Sequence, residues 1–473
     1  MTDTHIPGPA GLPLIGSLLE LRKNPMTAFL RAQRDYGDVV RLTAGPPGLR
    51  QKLYLVFSAE GAQQVLGTQA ANFRKDNVLY GEIRESIGNG LVTSQDDEYR
   101  RQRRLIQPLF TRRRVDGYAD AACTDAELLA ERWQSAPGGT VDLSSEMPSF
   151  SLHALSRILF GADADAAVEV MRRYWPTLLD YTLQRGYSLL RLPRHWPTPG
   201  NRRGAAARRE LYALCDRIIA ERRTGQTEAG AAAWSAGGDE EGDDLLSVLI
   251  RARGEHGEAL DGDELRDQVL IFLLAGHETT ATSLAVTLHL LAKHPEAQAR
   301  ARAEVDQVLA GRRPGAADLD SLPYLTMVLK EAMRVHAPIM FVGRRAVADT
   351  VVDGYRIPAG ADVLICPGVT HRKPEYWPDP ERFDPERFSP EAEAGRPRYA
   401  WYPFGGGPRA CIGQHFSMLE SVLCLAVLLQ RYELAPVDTE VPLGTRVTLQ
   451  EFGPIMCRVT SRTPVLSTAN AAG

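Results

Sequence analysis

One cysteine of this chain stands behind a glycine-rich loop and directly before a long apolar helix pattern, in Phe404-Gly405-Gly406-Gly407-Pro408-Arg409-Ala410-Cys411-Ile412-Gly413. Three successive glycines remove three side chains, so the backbone can turn tightly and lie close to a flat group. The N–H groups of such a loop can point at the sulfur, and hydrogen bonds to a ligating thiolate tune and protect it. Arg409 adds a cation and Phe404 an aromatic shield. The grouping suits a thiolate bound to a haem iron, with Cys411 as the axial ligand. The plainer reading is a buried structural cysteine after a glycine turn.

A second grouping lies in Leu270-Ile271-Phe272-Leu273-Leu274-Ala275-Gly276-His277-Glu278-Thr279-Thr280-Ala281. A run that is apolar all round reads as a buried helix. Polar residues in its middle would cost about 1–3 kcal/mol each if left unpaired, so they must be satisfied or have a task. Ala275 and Thr279 lie four apart, on one face. A small residue one turn before a hydroxyl leaves room for a diatomic molecule above a flat cofactor. The alternative is a helix interior whose threonines bond back to the preceding turn. His277, two residues before Thr279, points to another face and is expected to hydrogen-bond within the helix rather than to bind iron.

At the cysteine segment the chain resembles the cytochrome P450 family, the haem-thiolate monooxygenases, through Phe-x-x-Gly-x-Arg-x-Cys-x-Gly at Phe404, Gly407, Arg409, Cys411 and Gly413, and the resemblance places Gly405 of the same loop beside the cofactor as well. The long helix is similar to the family's Ala/Gly-Gly-x-Asp/Glu-Thr-Thr element. The resemblance implies that Thr279 hydrogen-bonds dioxygen and that Glu278 helps relay protons from water. Glu331 and Arg334 form a Glu-x-x-Arg pair, and the family's Pro-Glu-Arg-Phe element occurs twice in Asp379–Phe388. Its usual placement favours Arg387, over Arg382, as the third member of a structural charge triad that holds the cysteine loop in register. For the haem propionates the resemblance names Tyr99, where most relatives have tryptophan, with Arg103, and Arg344 beside Arg409; Arg345 stays open as the neighbour of Arg344. Ala275 would border the haem. Substrate contacts are implied in a loop near Tyr80–Gly90, at Phe272 and Ala275, at Ile339, Met340, Phe341 and Val342, and at Phe452 and Ile455.

These groups need elements to hold them. Asp261–His294 is the longest helical candidate, with an acid-rich start and Pro295 as its stop; its 34 residues would span about 50 Å. Tyr324–Val335 is a second helix, and residues 94–134 are helical with a strongly basic start. That basic cluster, Arg100 to Arg104 with Arg112 to Arg114, is either an ordinary solvated face or a dock for an acidic electron-transfer protein. Gly37–Leu42 and Lys52–Ser58 read as an early hairpin. Strand signals return at Gly354–Pro358, Val363–Cys366 and Val447–Val459. Thr224–Asp244, rich in Ala, Gly and acid, reads as a mobile loop between helices. The expected fold is mainly α with a smaller β-rich region, and the resemblance places the haem between the long distal helix and the helix after the cysteine. It covers nearly the whole of residues 1–473 and implies a single domain with no fused reductase.

The 473 residues, 44% of them apolar, can bury a large core, and the net charge of −4 gives no case for nucleic acid. The six cysteines show no Cys-x-x-Cys spacing and read as reduced thiols of a cytoplasmic protein. No run of 18 apolar residues and no secretory leader occurs, so neither a transmembrane anchor nor membrane association is expected. The resemblance then implies a monomeric haem b enzyme that uses O2 and takes NAD(P)H electrons from a ferredoxin and a ferredoxin reductase. Its substrate would be a hydrophobic small molecule, hydroxylated or epoxidised in the tailoring of a terpenoid or polyketide. Fatty-acid hydroxylation is the runner-up; a haem-thiolate isomerase or dehydratase and a non-catalytic haem-binding protein are the rival classes.

Overall fold

The computed structural model describes residues 5–12, 15–45, 50–160, 164–188, 191–233, 245–253, 257–437 and 453–462. Backbone contacts divide the chain into two compact units, one of Met1–Asn77, Ala126–Pro148 and Glu278–Gly473, the other of Val78–Asp125 and Ser149–His277.

All the described strands lie in the first unit: β1 (Val39–Ala44), β2 (Gln51–Val56), β3 (Phe73–Arg74), β4 (Thr140–Asp142), β5 (Val342–Ala346), β6 (Thr350–Val352), β7 (Tyr355–Ile357), β8 (Asp362–Ile365), β9 (Tyr432–Pro436) and β10 (Met456–Ser461). The expected hairpin is β1 against β2, with Val40 opposite Leu55. It extends into a five-stranded sheet of order β1-β2-β8-β5-β3. β-Branched residues such as Val39, Val56, Val363 and Ile365 suit that pleated surface and bury against Trp377, Tyr399 and Tyr402. A three-stranded sheet, β4-β10-β9, closes on Tyr432, whose hydroxyl donates to the Ala130 carbonyl.

The second unit is helical among its described residues, with helices Val78–Ile87, Asp96–Ile106, Ala164–Gly186 and Pro199–Ala233 and the beginning of Gly262–Lys293. The last begins where its acids predicted. Asp261 accepts from the Glu264 N–H at 2.8 Å, and Glu264 accepts from the Asp261 N–H at 3.0 Å, a reciprocal cap. By length and apolarity it could cross a membrane, yet 83% of its most apolar window is buried inside the protein. That matches the expectation of a core helix.

Three sequence expectations need correction. Pro199–Ala233, with 35 residues, exceeds the 32 of Gly262–Lys293 as the longest helix. Thr224–Ala233, expected in a loop, continues that helix, because alanine, glutamine and glutamate favour helix even without an apolar period; residues 234–244 lie outside the described residues. The segment beginning at Tyr80 is helical as far as Ile87, so the loop begins only at Gly88. Of the expected strand Val447–Val459, the part up to Phe452, a proposed substrate contact, also lies outside the described residues.

Candidate functional site

The cysteine loop is closed by its own backbone. The Cys411 N–H donates to the Phe404 carbonyl at 2.9 Å and the Ala410 N–H to the Gly407 carbonyl at 3.1 Å. Gly405 sits at φ 70° and Gly407 at φ 64°, values side chains resist. At Gly407 a Cβ would also fall 1.8 Å from the Leu66 carbonyl oxygen, so this glycine is needed for backbone packing. Gly413 caps the following helix Gln414–Arg431, and a Cβ there would lie 4.0 Å from the Cys411 sulfur. Phe404, half-buried, meets Trp401 edge-on at 6.3 Å. The loop presents Cys411 exposed, whereas the other five cysteines are buried. Burial pushes the Cys215 and Cys366 thiols up and that of Cys457 up to about 12, which suits inert core residues.

Three cations gather near that sulfur. Arg344 is buried on β5, its guanidinium donating to the Gly343 carbonyl at 2.8 Å. Strand alternation turns its neighbour Arg345 the other way, to Asp362 at 3.2 Å. The third cation, Lys75, was missed in the sequence. β3 pairs Arg74 with Arg345, and Lys75 is the residue directly after that strand. Burial, followed by the charges of Arg344 and Arg409, holds the Lys75 amine well below its ordinary value, while Cys411 acts in the opposite sense. Like charges this close call for an anion. A haem, with two propionates and an iron open to the Cys411 sulfur, fits this donor set.

The long helix carries a second group of candidate residues. Its run Val269–Leu274 is buried, yet Ala275 is exposed and Thr279 partly so, one turn apart on one open stripe. Glu278 is buried, and Thr282 donates to its backbone carbonyl at 2.9 Å. Ser283 and Thr287 likewise return their hydroxyls to the preceding turn, to Thr279 and Ser283. Thr280 instead meets the Ser417 hydroxyl at 3.1 Å, which ties this helix to the one after Cys411. His277 donates from Nδ1 to the Leu273 carbonyl, and burial lowers it to about 4, so it is a neutral helix residue.

A buried ion pair leads to the cysteine loop. Arg334 donates to the two oxygens of Glu331 at 2.6 and 2.8 Å, both side chains fully buried. Arg387 lies 3.5 Å from Glu331, whereas the Arg382 side chain reaches Asp384. Arg334 also donates to the His371 carbonyl at 2.9 Å, and the His371 ring accepts the Tyr402 N–H at 3.0 Å, two residues before Phe404.

Tyr99 and Arg103 lie in the other unit, Tyr99 buried and Arg103 donating to Gln107 at 3.1 Å. Part of the surrounding basic cluster is neutralised locally: Arg100 pairs with Asp97, Arg101 with Glu264 and Arg112 with Asp116. Phe272 meets Phe110 edge-on at 5.6 Å. Phe341 packs against Phe29 at 5.9 Å and Met340 against Gly368, so these two side chains belong to the core. Ile339 and Val342 remain partly accessible, and Ile455 is buried, its N–H donating to the Asp142 carboxylate at 3.0 Å and its carbonyl accepting the Leu143 N–H at 2.9 Å.

The family model described as Cytochrome P450 matches residues 6–453. A cyclooctat-9-en-7-ol 5-monooxygenase of Streptomyces melanosporofaciens is 36% identical, over 91% of this chain and 89% of its own. A pentalenene oxygenase of Streptomyces avermitilis is 32% identical, over 96% and 97%. A cytochrome P450 4F3 of Rattus norvegicus is 33% identical, over 90% and 83%. Among solved structures, a cytochrome P450DA heme domain superposes with a TM-score of 0.83 at 28% identity, covering 97% of this chain and 98% of that one.

Proposed function

The chain belongs to the cytochrome P450 family, and from that premise we propose that it oxygenates a cyclic terpenoid, as a cytoplasmic monomer supplied by a ferredoxin and its reductase. It is a haem b monooxygenase that uses O2 and NAD(P)H-derived electrons delivered through redox partners. Haem held through a thiolate supplies reductive dioxygen activation and insertion of one oxygen atom into a C–H or C=C bond.

The residues divide the remaining tasks. Cys411 holds the iron, with its backbone N–H committed to the Phe404 carbonyl. Lys75, Arg344 and Arg409 would bind the propionates. Ala275 keeps space clear on the open stripe. Thr279 positions a proton at its hydroxyl, and Glu278 carries protons to it from water, a general-acid role. Ile339 and Val342, both partly accessible, would bound an apolar substrate site. The names of the Streptomyces relatives, a cyclooctat-9-en-7-ol monooxygenase and a pentalenene oxygenase, support a cyclic, carbon-rich substrate.

The observation that carries this reading is the exposed Cys411 among three clustered cations. The red-shifted band of the reduced, CO-bound protein is expected in wild type and absent in Cys411→Ala; its survival in the variant would remove Cys411 from the role. With a surrogate ferredoxin and reductase, cyclic terpenes should gain one oxygen atom by mass. Gain on fatty acids alone would move the substrate to that class. Product without an electron donor would indicate an isomerase or dehydratase.

A further inference from the structure

Two buried polar residues sit on the long helix just before its apolar run, Asp267 and Gln268. Neither has a part in iron or dioxygen chemistry. Both bind the loop that begins at Gly88. Asp267 accepts the Asn89 N–H at 2.7 Å. Gln268 accepts the Leu91 N–H at 3.3 Å and donates to Gln102 at 3.2 Å, while Gln102 donates to the Asn89 carbonyl at 3.0 Å. The Thr93 hydroxyl closes the loop on the Gly88 carbonyl at 2.7 Å.

The approach is too close for a side chain. Gly88 has φ 87°, and a Cβ there would fall 2.0 Å from the Asp267 carboxyl carbon. Asp267 also faces Arg266 at 4.0 Å, and the Arg266 guanidinium lies 4.5 Å over the Tyr212 ring of the helix Pro199–Ala233, so the long helix, the loop and that helix meet here. All of these residues belong to the second unit.

Helical spacing makes the attachment consequential. Gln268, Phe272 and Ala275 follow one another at intervals of four and three, on one face. A loop fastened at Gln268 therefore stands about 10 Å along the helix from Ala275. It is in place to wall the stripe on which a substrate would lie.

We propose that Asp267, supported by Gln268 and Gln102, is a positioning residue that fixes the loop Gly88–Thr93 as a wall of the substrate cavity beside Phe272 and Ala275. The role rests on the monooxygenase reading for its substrate but not for its geometry. Asp267 touches neither substrate nor cofactor; it acts through the loop.

The test uses haem-loaded full-length protein. Asp267→Ala should speed backbone amide exchange at Asn89 and Leu91 about tenfold or more, the factor a hydrogen bond to a charged group is worth. It should also weaken binding of a phenyl-substituted imidazole by a similar factor, read from the haem spectrum. Asp267→Asn keeps a carbonyl acceptor for Asn89 and should restore most of both. Should Asp267→Ala not fold, Gln268→Met, similar in shape but without the acceptor, should accelerate exchange at Leu91 selectively. Unchanged exchange in these variants overturns the proposal. So does faster exchange with unchanged imidazole affinity, because the loop would then be no wall. Amide exchange requires no turnover, so a missing CO band in wild type would defeat the monooxygenase reading while this result still stands or falls by itself.

Discussion

Thr279 differs from the hydroxyl residues that follow it in exposure. Thr282, Ser283 and Thr287 are buried, whereas Thr279 is partly exposed on the open stripe with Ala275. Its replacement by alanine should leave the fold and the CO band intact. Peroxide released per NAD(P)H consumed should rise, and product formation should fall about 10²-fold, the usual worth of a placed proton donor; unchanged coupling would exclude Thr279 from proton delivery. Lys75 stands near Arg344 and Arg409. Lys75→Met should raise the haem dissociation constant about tenfold, as loss of a charge-assisted hydrogen bond does. A haem transfer assay measures this, and an unchanged transfer rate would remove Lys75 from haem binding.

The Glu331–Arg334 pair acts between elements. Helix Pro323–Val335 carries it, Asp384 donates its N–H to Glu331 at 2.9 Å, and His371 passes the constraint to Tyr402. Glu331→Ala would leave the Arg334 charge buried without its partner, at a cost of about 3–5 kcal/mol. Denaturant unfolding should show that loss together with reduced haem incorporation; a change below about 1 kcal/mol would mean the pair is dispensable. Much of this arrangement was legible beforehand. Acid at Asp261 and Glu264 marked a helix start because each carboxylate caps the other's N–H. β-Branched and aromatic residues marked β1 and β2. Lys75 was not legible, because its meaning depends on the register of β3 against β5, a pairing across more than 250 residues that no local pattern encodes. The placement of Met340 and Phe341 escaped for a related reason. Their apolar character fits a pocket wall and a core equally well, and only Phe29 and Gly368 decide between them.

At the scale of the whole molecule, buried neutral imidazoles set a limit on acid tolerance. Burial, followed by the charges of Arg334 and Arg372, holds His371 at about 3, and burial holds His277 at about 4. An unfolded histidine titrates near 6.5. The folded values are depressed, so the unfolded chain binds protons first as pH falls. The stability from these groups is therefore complete above about pH 6.5 and is lost progressively toward pH 3–4. Each contributes a slope of about 1.4 kcal/mol per pH unit inside that window, or about 2 kcal/mol by pH 5. His371 adds a local consequence, because its ring accepts the Tyr402 N–H and a protonated ring cannot. Acid should therefore loosen the strand of chain leading to Phe404 as it destabilises the fold. His371→Gln, which keeps an acceptor but does not titrate, should flatten the fall in unfolding free energy between pH 6.5 and 5 and retain the thiolate CO band to lower pH. Equal pH slopes in wild type and variant would remove His371 as the acid-sensitive group.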